Sequence, residues 1–149
     1  RRVRKRLTSI NASVPSKMAG SEHQEQVNLF TWIRMFEVRN PKLKTIFAIP
    51  NGGYRTPLTA GKMKAEGQKS GVWDIFVACR GSVGGVQYDG MWMEMKFGRN
   101  KLSENQCTFK ETLQQYGASY NWVVCYCWTD AVKIIAEYIG MEDELWTKH

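Results

Sequence analysis

Two periods organise the apolar positions of this chain. Val27, Phe30, Ile33 and Phe36 recur at helical spacing. They follow Ser21, an N-cap residue, and Glu22 and Glu25, which stand where the helix dipole favours acids. The pattern predicts a helix over 22–38, stopped by Asn40-Pro41. A short β-branched and aromatic run over 45–49 predicts a strand ended by Pro50-Asn51-Gly52-Gly53. A short helix over 58–66 is expected next, with Gly67 past its end. A buried strand over 72–79, a turn over 81–85 and a returning strand over 88–97 read as a hairpin. Ser103 with Gln106 three residues on forms a capping-box pattern that opens a second long helix over 103–116. A strand over 120–128 and a last helix from Thr129 or Asp130 to Tyr138 complete the order. Strands interspersed with helices, one hairpin among them, predict an α/β fold with a central mixed sheet flanked by helices.

Length and composition narrow the class. At 149 residues the chain fits one domain, and its 43% apolar and 23% charged residues exclude wholesale disorder and a collagen-like repeat. No apolar run approaches the ~20 residues of a membrane span, so no membrane association is expected. Residues 1–20 read as a basic and polar arm and 21–149 as the domain. The formal charge of +7 is unevenly spread: residues 1–70 carry 14 Lys/Arg against 4 Asp/Glu, and the rest carry 7 against 10. A basic half attracts polyanions, of which nucleic acid is the commonest. Five of the positive charges lie within Arg1–Arg6, which is either a solvated end or a DNA-contacting arm. Cys79, Cys107, Cys125 and Cys127 form no CxxC pair, which argues against a zinc ribbon and suits a reducing, cytoplasmic setting. Cys125 and Cys127, two apart in an apolar run, are expected on one face of a strand as small hydrophobes.

The chemistry-bearing strand is Gly90-Met91-Trp92-Met93-Glu94-Met95-Lys96-Phe97. Strand alternation puts Met91, Met93, Met95 and Phe97 on one face and Trp92, Glu94 and Lys96 on the other. Asp74 is the sole charge in 72–78, an otherwise apolar strand, and buried charges are rare unless paired or metal-bound. In a hairpin Asp74 can lie beside Glu94. Two adjacent carboxylates repel unless a cation sits between them, and a hard divalent ion with oxygen ligands is the simplest resolution. Such an ion beside a lysine suits phosphodiester hydrolysis. Against this stands the plainer possibility that Glu94 and Lys96 only solubilise an edge strand.

Asp74 followed by Glu94-Met95-Lys96 resembles the PD-(D/E)xK nuclease signature, with Val72-Trp73 standing where its proline would be. The wider series is more specific: Ser21-Glu22-His23-Gln24-Glu25-Gln26, Pro50-Asn51-Gly52-Gly53, Lys64-Ala65-Glu66-Gly67 leading to Gly71-Val72-Trp73-Asp74, Glu94-Met95-Lys96, and Leu102-Ser103-Glu104-Asn105-Gln106. In this order it resembles the VRR-NUC (virus-type replication-repair nuclease) domain, in the stand-alone form found in phages and prophages, over residues 21–140. The resemblance implies a restriction-endonuclease-like core. It implies Asp74, Glu94 and the Met95 carbonyl as ligands of Mg²⁺ or Mn²⁺, Lys96 as the catalytic lysine, and Gln106 near the metal-bound water or phosphate. The first-helix glutamate maps on Glu22, with Glu25 as competitor. Asn51 and Gly52 match a turn beside the site. It further implies a DNA endonuclease acting on branched or structured DNA as a homodimer, similar to Holliday junction resolvases, with no organic cofactor.

Arg55, Lys62, Lys64 and Lys69 cluster in a Gly-rich segment and are expected to contact DNA phosphates. His23 reads as a surface helix residue, His23 and His149 being too few for a histidine metal site. Trp32, Trp122 and Trp128 read as core, and Trp73 and Trp92 as core residues that border the acidic cluster. Two rival functions remain: a non-catalytic DNA-binding module on the same fold, and a sequence-specific restriction-type endonuclease.

Overall fold

The strand that carries the methionines is the centre of the molecule. In the computed structural model, which describes residues 20–50 and 56–141, β5 spans Gly90–Met95 and leaves Met91, Met93 and Met95 0% exposed. Burying a methionine side chain contributes about 1.5–3 kcal/mol, so this one face is a large part of the core. β5 pairs antiparallel with β2 (Ile75–Val77), which pairs antiparallel with β1 (Ile46–Ala48). On its other side β5 pairs parallel with β6 (Tyr120–Cys125). The order β1-β2-β5-β6 is therefore a mixed sheet, as the interspersed elements predicted.

Helix α1 (Glu22–Phe36) and helix α4 (Trp128–Ile139) cover the methionine face. Ser21 caps α1 by accepting the Gln24 N–H. The buried stripe of α1 differs from the expected one. Leu29, Trp32 and Ile33 are buried, Phe30 and Phe36 pack at the margin, and Val27 is exposed. Gln24, Glu25 and Asn28 continue the buried stripe as polar residues, which hid its phase from a hydrophobicity count. Helix α3 (Glu104–Tyr116) lies over the opposite face, where Phe109 stands edge-on to Trp92 at 5.1 Å. Beneath it Phe47, Phe76, Trp92 and Trp122 are register partners in a row across all four strands. Trp122 and Trp92 are thus half-buried in the second layer rather than in the methionine core.

Other boundaries shift for physical reasons. The 81–85 segment is not a simple turn: β3 (Gly81–Val83) and β4 (Val86–Tyr88) form a separate hairpin over Gly84-Gly85. Both glycines have positive φ, 56° and 80°, the conformation a tight primed turn requires. β5 ends at Met95, so Phe97 leaves the core face and is 41% exposed. β6 ends at Cys125, and Cys127 is the N-cap residue of α4 rather than a strand partner of Cys125. Burial pushes the Cys125 thiol up to about 12, which leaves it neutral and inert. Helix α2 (Pro57–Ala65), capped by Thr56, buries none of its residues. Among the described residues no helix is long and apolar enough to cross a membrane. Arg55, Asn51, Gly52, His149 and nearly all of the basic arm lie outside the described residues.

Candidate active site

Register builds the site. Ile75 pairs with Met93 and Phe76 with Trp92, so the next step along the same ladder sets Asp74 opposite Glu94, on the aromatic face. The Asp74 N–H donates to Glu94 Oε2 at 2.9 Å. Glu94 is 2% exposed and would be a costly buried charge without partners. Its other oxygen, Oε1, accepts from Gln106 Nε2 at 2.7 Å and lies 3.4 Å from Lys96 Nζ. Lys96, only 9% exposed, is therefore no solubilising edge charge. Its backbone N–H donates to the Cys125 carbonyl at 2.8 Å, which extends the parallel ladder one residue past β5.

Gln106 serves two ends at once. Its side-chain oxygen accepts the Ser103 N–H at 2.9 Å and closes the capping box of α3, while its amide nitrogen reaches Glu94. The first turn of α3 is held in place from below. Trp73, 1% exposed, donates its indole N–H to the Gln106 carbonyl at 3.0 Å and stands edge-on to Trp122. Gly71, with φ +89°, lets the chain pass against the Asn105 backbone, where a Cβ would collide with the carbonyl oxygen. The Asn105 amide adds a bond to Ser70 Oγ at 2.9 Å. Sequence reasoning placed Trp73 beside the cluster but did not foresee this indole bond.

The Asp74 carboxyl is pushed from 3.8 up to about 7, first by burial and then by the charge of Glu94 and a side-chain hydrogen bond to it. Lys96 opposes the shift and Glu22 adds to it. Two neighbouring, partly buried carboxylates offset by one ammonium are a donor set that a hard divalent cation would satisfy. The residues present therefore fit Mg²⁺ or Mn²⁺, with Asp74, Glu94 and the Met95 carbonyl as the candidate ligands. Among the described residues no three His, Cys, Asp or Glu side chains close into a metal cluster by themselves.

The two candidate glutamates of α1 have different surroundings. Glu25 is buried and its Oε2 accepts the Trp128 backbone N–H at 3.0 Å, so it caps the first turn of α4, whose own N-cap residue makes no side-chain bond to the helix backbone. Burial pushes its carboxyl up and that hydrogen bond pulls it down. Glu22 instead accepts from Asn100 Nδ2 at 3.1 Å, and its charge is felt at Asp74. Lys62, Lys64 and Lys69 are exposed, on α2 and just after it, and make no ion pair among the described residues. His23 is exposed, as expected.

A mixed sheet between helices, with an aspartate, a glutamate and a lysine brought together at one end of adjacent strands, defines a protein of the restriction-endonuclease-like class. Comparison with solved structures matches the chain to a "VRR_NUC domain protein" at TM-score 0.61 and 25% identity, over 82% of this chain and 91% of that one. This likeness supports a VRR-NUC domain assignment for the chain. No family model matches it, and no curated protein does.

Proposed function

We propose that this protein is a divalent-metal-dependent DNA endonuclease that hydrolyses phosphodiester bonds. The observation that carries it is the contact of Asp74, Glu94 and Lys96 in one partly buried cluster, with Asp74 held near pKa 7 by burial and by Glu94. Asp74, Glu94 and the Met95 carbonyl would hold Mg²⁺ or Mn²⁺, with Glu22 close by. When bound, the ion supplies a lowered pKa for its water and neutralises charge developing on the phosphoryl oxygens. Gln106 keeps Glu94 in one orientation. The Lys96 ammonium, fixed by Glu94, orients the attacking water or stabilises the transition-state charge. Lys62, Lys64 and Lys69 bind DNA phosphates, with Arg55, Asn51 and Gly52 as further contacts. Two finer features rest on the family resemblance: branched or structured DNA as substrate, and a homodimer that cuts paired strands symmetrically.

The test is a labelled four-way junction, a flap and a linear duplex, each incubated with Mg²⁺, Mn²⁺ or EDTA. Cleavage in the metal lanes, strongest on the junction and absent in EDTA, is the expected result. Lys96→Ala should lower the rate at least about 10²-fold while DNA binding persists, the size of effect expected for one preorganised electrostatic group. Cleavage undiminished by EDTA would refute the metal requirement. Metal-dependent binding of the junction with no cutting by the wild type would identify a non-catalytic module.

A further inference from the structure

The turn that follows β5 connects the carboxylate cluster to the start of α1 at two points. The Phe97 ring lies over Gly20, close enough that a Cβ there would stand 3.1 Å from its Cζ. Three residues on, Asn100 Nδ2 donates to Glu22 Oε1 at 3.1 Å, across 78 positions of sequence. The turn is itself fixed. The Asn100 N–H donates to the Phe97 carbonyl at 3.1 Å. The Tyr126 phenol, just beyond β6, donates to the Asn100 carbonyl at 2.9 Å. Asn100 is thus held through its backbone while its side chain reaches the helix. The Glu22 side chain has no other hydrogen bond or ion pair among the described residues, yet its charge acts on Asp74. A glutamate side chain has three torsions, and the Asn100 bond restrains them.

We propose that Asn100 is a positioning residue that orients the Glu22 carboxylate toward the Asp74–Glu94 cluster, with Tyr126 fixing Asn100 in turn. This rests on the nuclease reading. A side chain that orients a carboxylate near a metal, without touching the ion, typically alters metal affinity or activity 10–100-fold when removed (an order-of-magnitude expectation). Asn100→Ala should therefore weaken Mn²⁺ binding and slow junction cleavage by roughly 10–100-fold, and Tyr126→Phe should do the same to a smaller degree. Neither should move the melting temperature in EDTA appreciably, because both bonds are exposed. The decisive arm is a double-mutant cycle. In a Glu22→Gln background, Asn100→Ala should cause little further loss in Mn²⁺ affinity, followed by the electron-spin signal of free Mn²⁺, or in cleavage rate. Losses that add in full to those of Glu22→Gln would show that Asn100 acts independently of Glu22 and would overturn the proposal. So would an Asn100→Ala protein that binds Mn²⁺ and cleaves as the wild type does. A wild-type protein that neither binds Mn²⁺ nor cleaves any substrate overturns the nuclease reading itself, and this role with it.

Discussion

Asp74→Asn should stabilise the metal-free protein at alkaline pH while removing its response to metal. The folded protein holds the Asp74 proton more tightly than the unfolded chain does, because burial and the Glu94 charge raise the carboxyl from 3.8 to about 7. Between those values the native state keeps a proton that the unfolded state has lost, so stability falls as pH rises through this window. A shift of about three units corresponds to an upper bound of about 4 kcal/mol at 1.36 kcal/mol per unit. The site is partly exposed, and solvent screening reduces this to about 2 kcal/mol. Asparagine is nearly isosteric, can donate to Glu94 and carries no charge, so it removes the repulsion and keeps the contact. The assay is urea unfolding in EDTA at pH 5 and pH 8. The interval from pH 5 to 8 covers roughly the upper two-thirds of that window, so across it the wild type should lose about 1.3 kcal/mol more than Asp74→Asn. In thermal melts this is a difference of about 3–5 °C for a domain of this size. Glu25 titrates with the same sign, but it is present in both proteins and cancels in the difference. Adding Mn²⁺ at about 100 times its dissociation constant should restore about 2.7 kcal/mol to the wild type and little to the variant. Parallel pH profiles for the two proteins, or a variant less stable than wild type at pH 8 in EDTA, would refute the carboxylate repulsion on which the metal site is argued.

The two α1 glutamates should separate cleanly. Glu25→Ala leaves the buried Trp128 N–H without a partner and should cost about 1–3 kcal/mol in urea unfolding, whereas Glu22→Ala should stay within about 0.5 kcal/mol and lose cleavage instead; the reverse pattern would exchange their roles. Changing Lys62, Lys64 and Lys69 together to Ala should weaken duplex binding irrespective of sequence and flatten the log–log salt dependence by a slope of about 0.9 per lost phosphate contact. A salt slope equal to that of the wild type would show that the three lysines face solvent only.

Much of the site was legible before any fold was known, because its determinants are local. Strand alternation sorts Met91, Met93 and Met95 from Trp92 and Glu94 within six residues, and a lone Asp74 in an apolar strand marks a charge that needs a partner. Caps are equally local: Ser21 and Ser103 each bond an N–H three residues on, and both helices start where those residues predict. The hairpin at Gly84-Gly85 has a local signal too, but its strands are three residues each, too short for a period to register.

What only the tertiary structure decided are matters of phase and of distant contact. The face that α1 buries depends on Gln24, Glu25 and Asn28, polar residues that become core only because α4 and the sheet meet them there. Glu22 and Glu25 share one turn and one chemistry, so sequence alone could not divide them. Glu25 is assigned to a structural task by an N–H 103 residues away, and Glu22 meets an amide 78 residues away. The same holds for Cys127, which reads as a strand residue until the end of β6 makes it the start of α4. Period and capping act over about four residues and are written in the chain itself. A hydrogen bond between elements exists only after packing has set their rotation and height, and no local pattern encodes that.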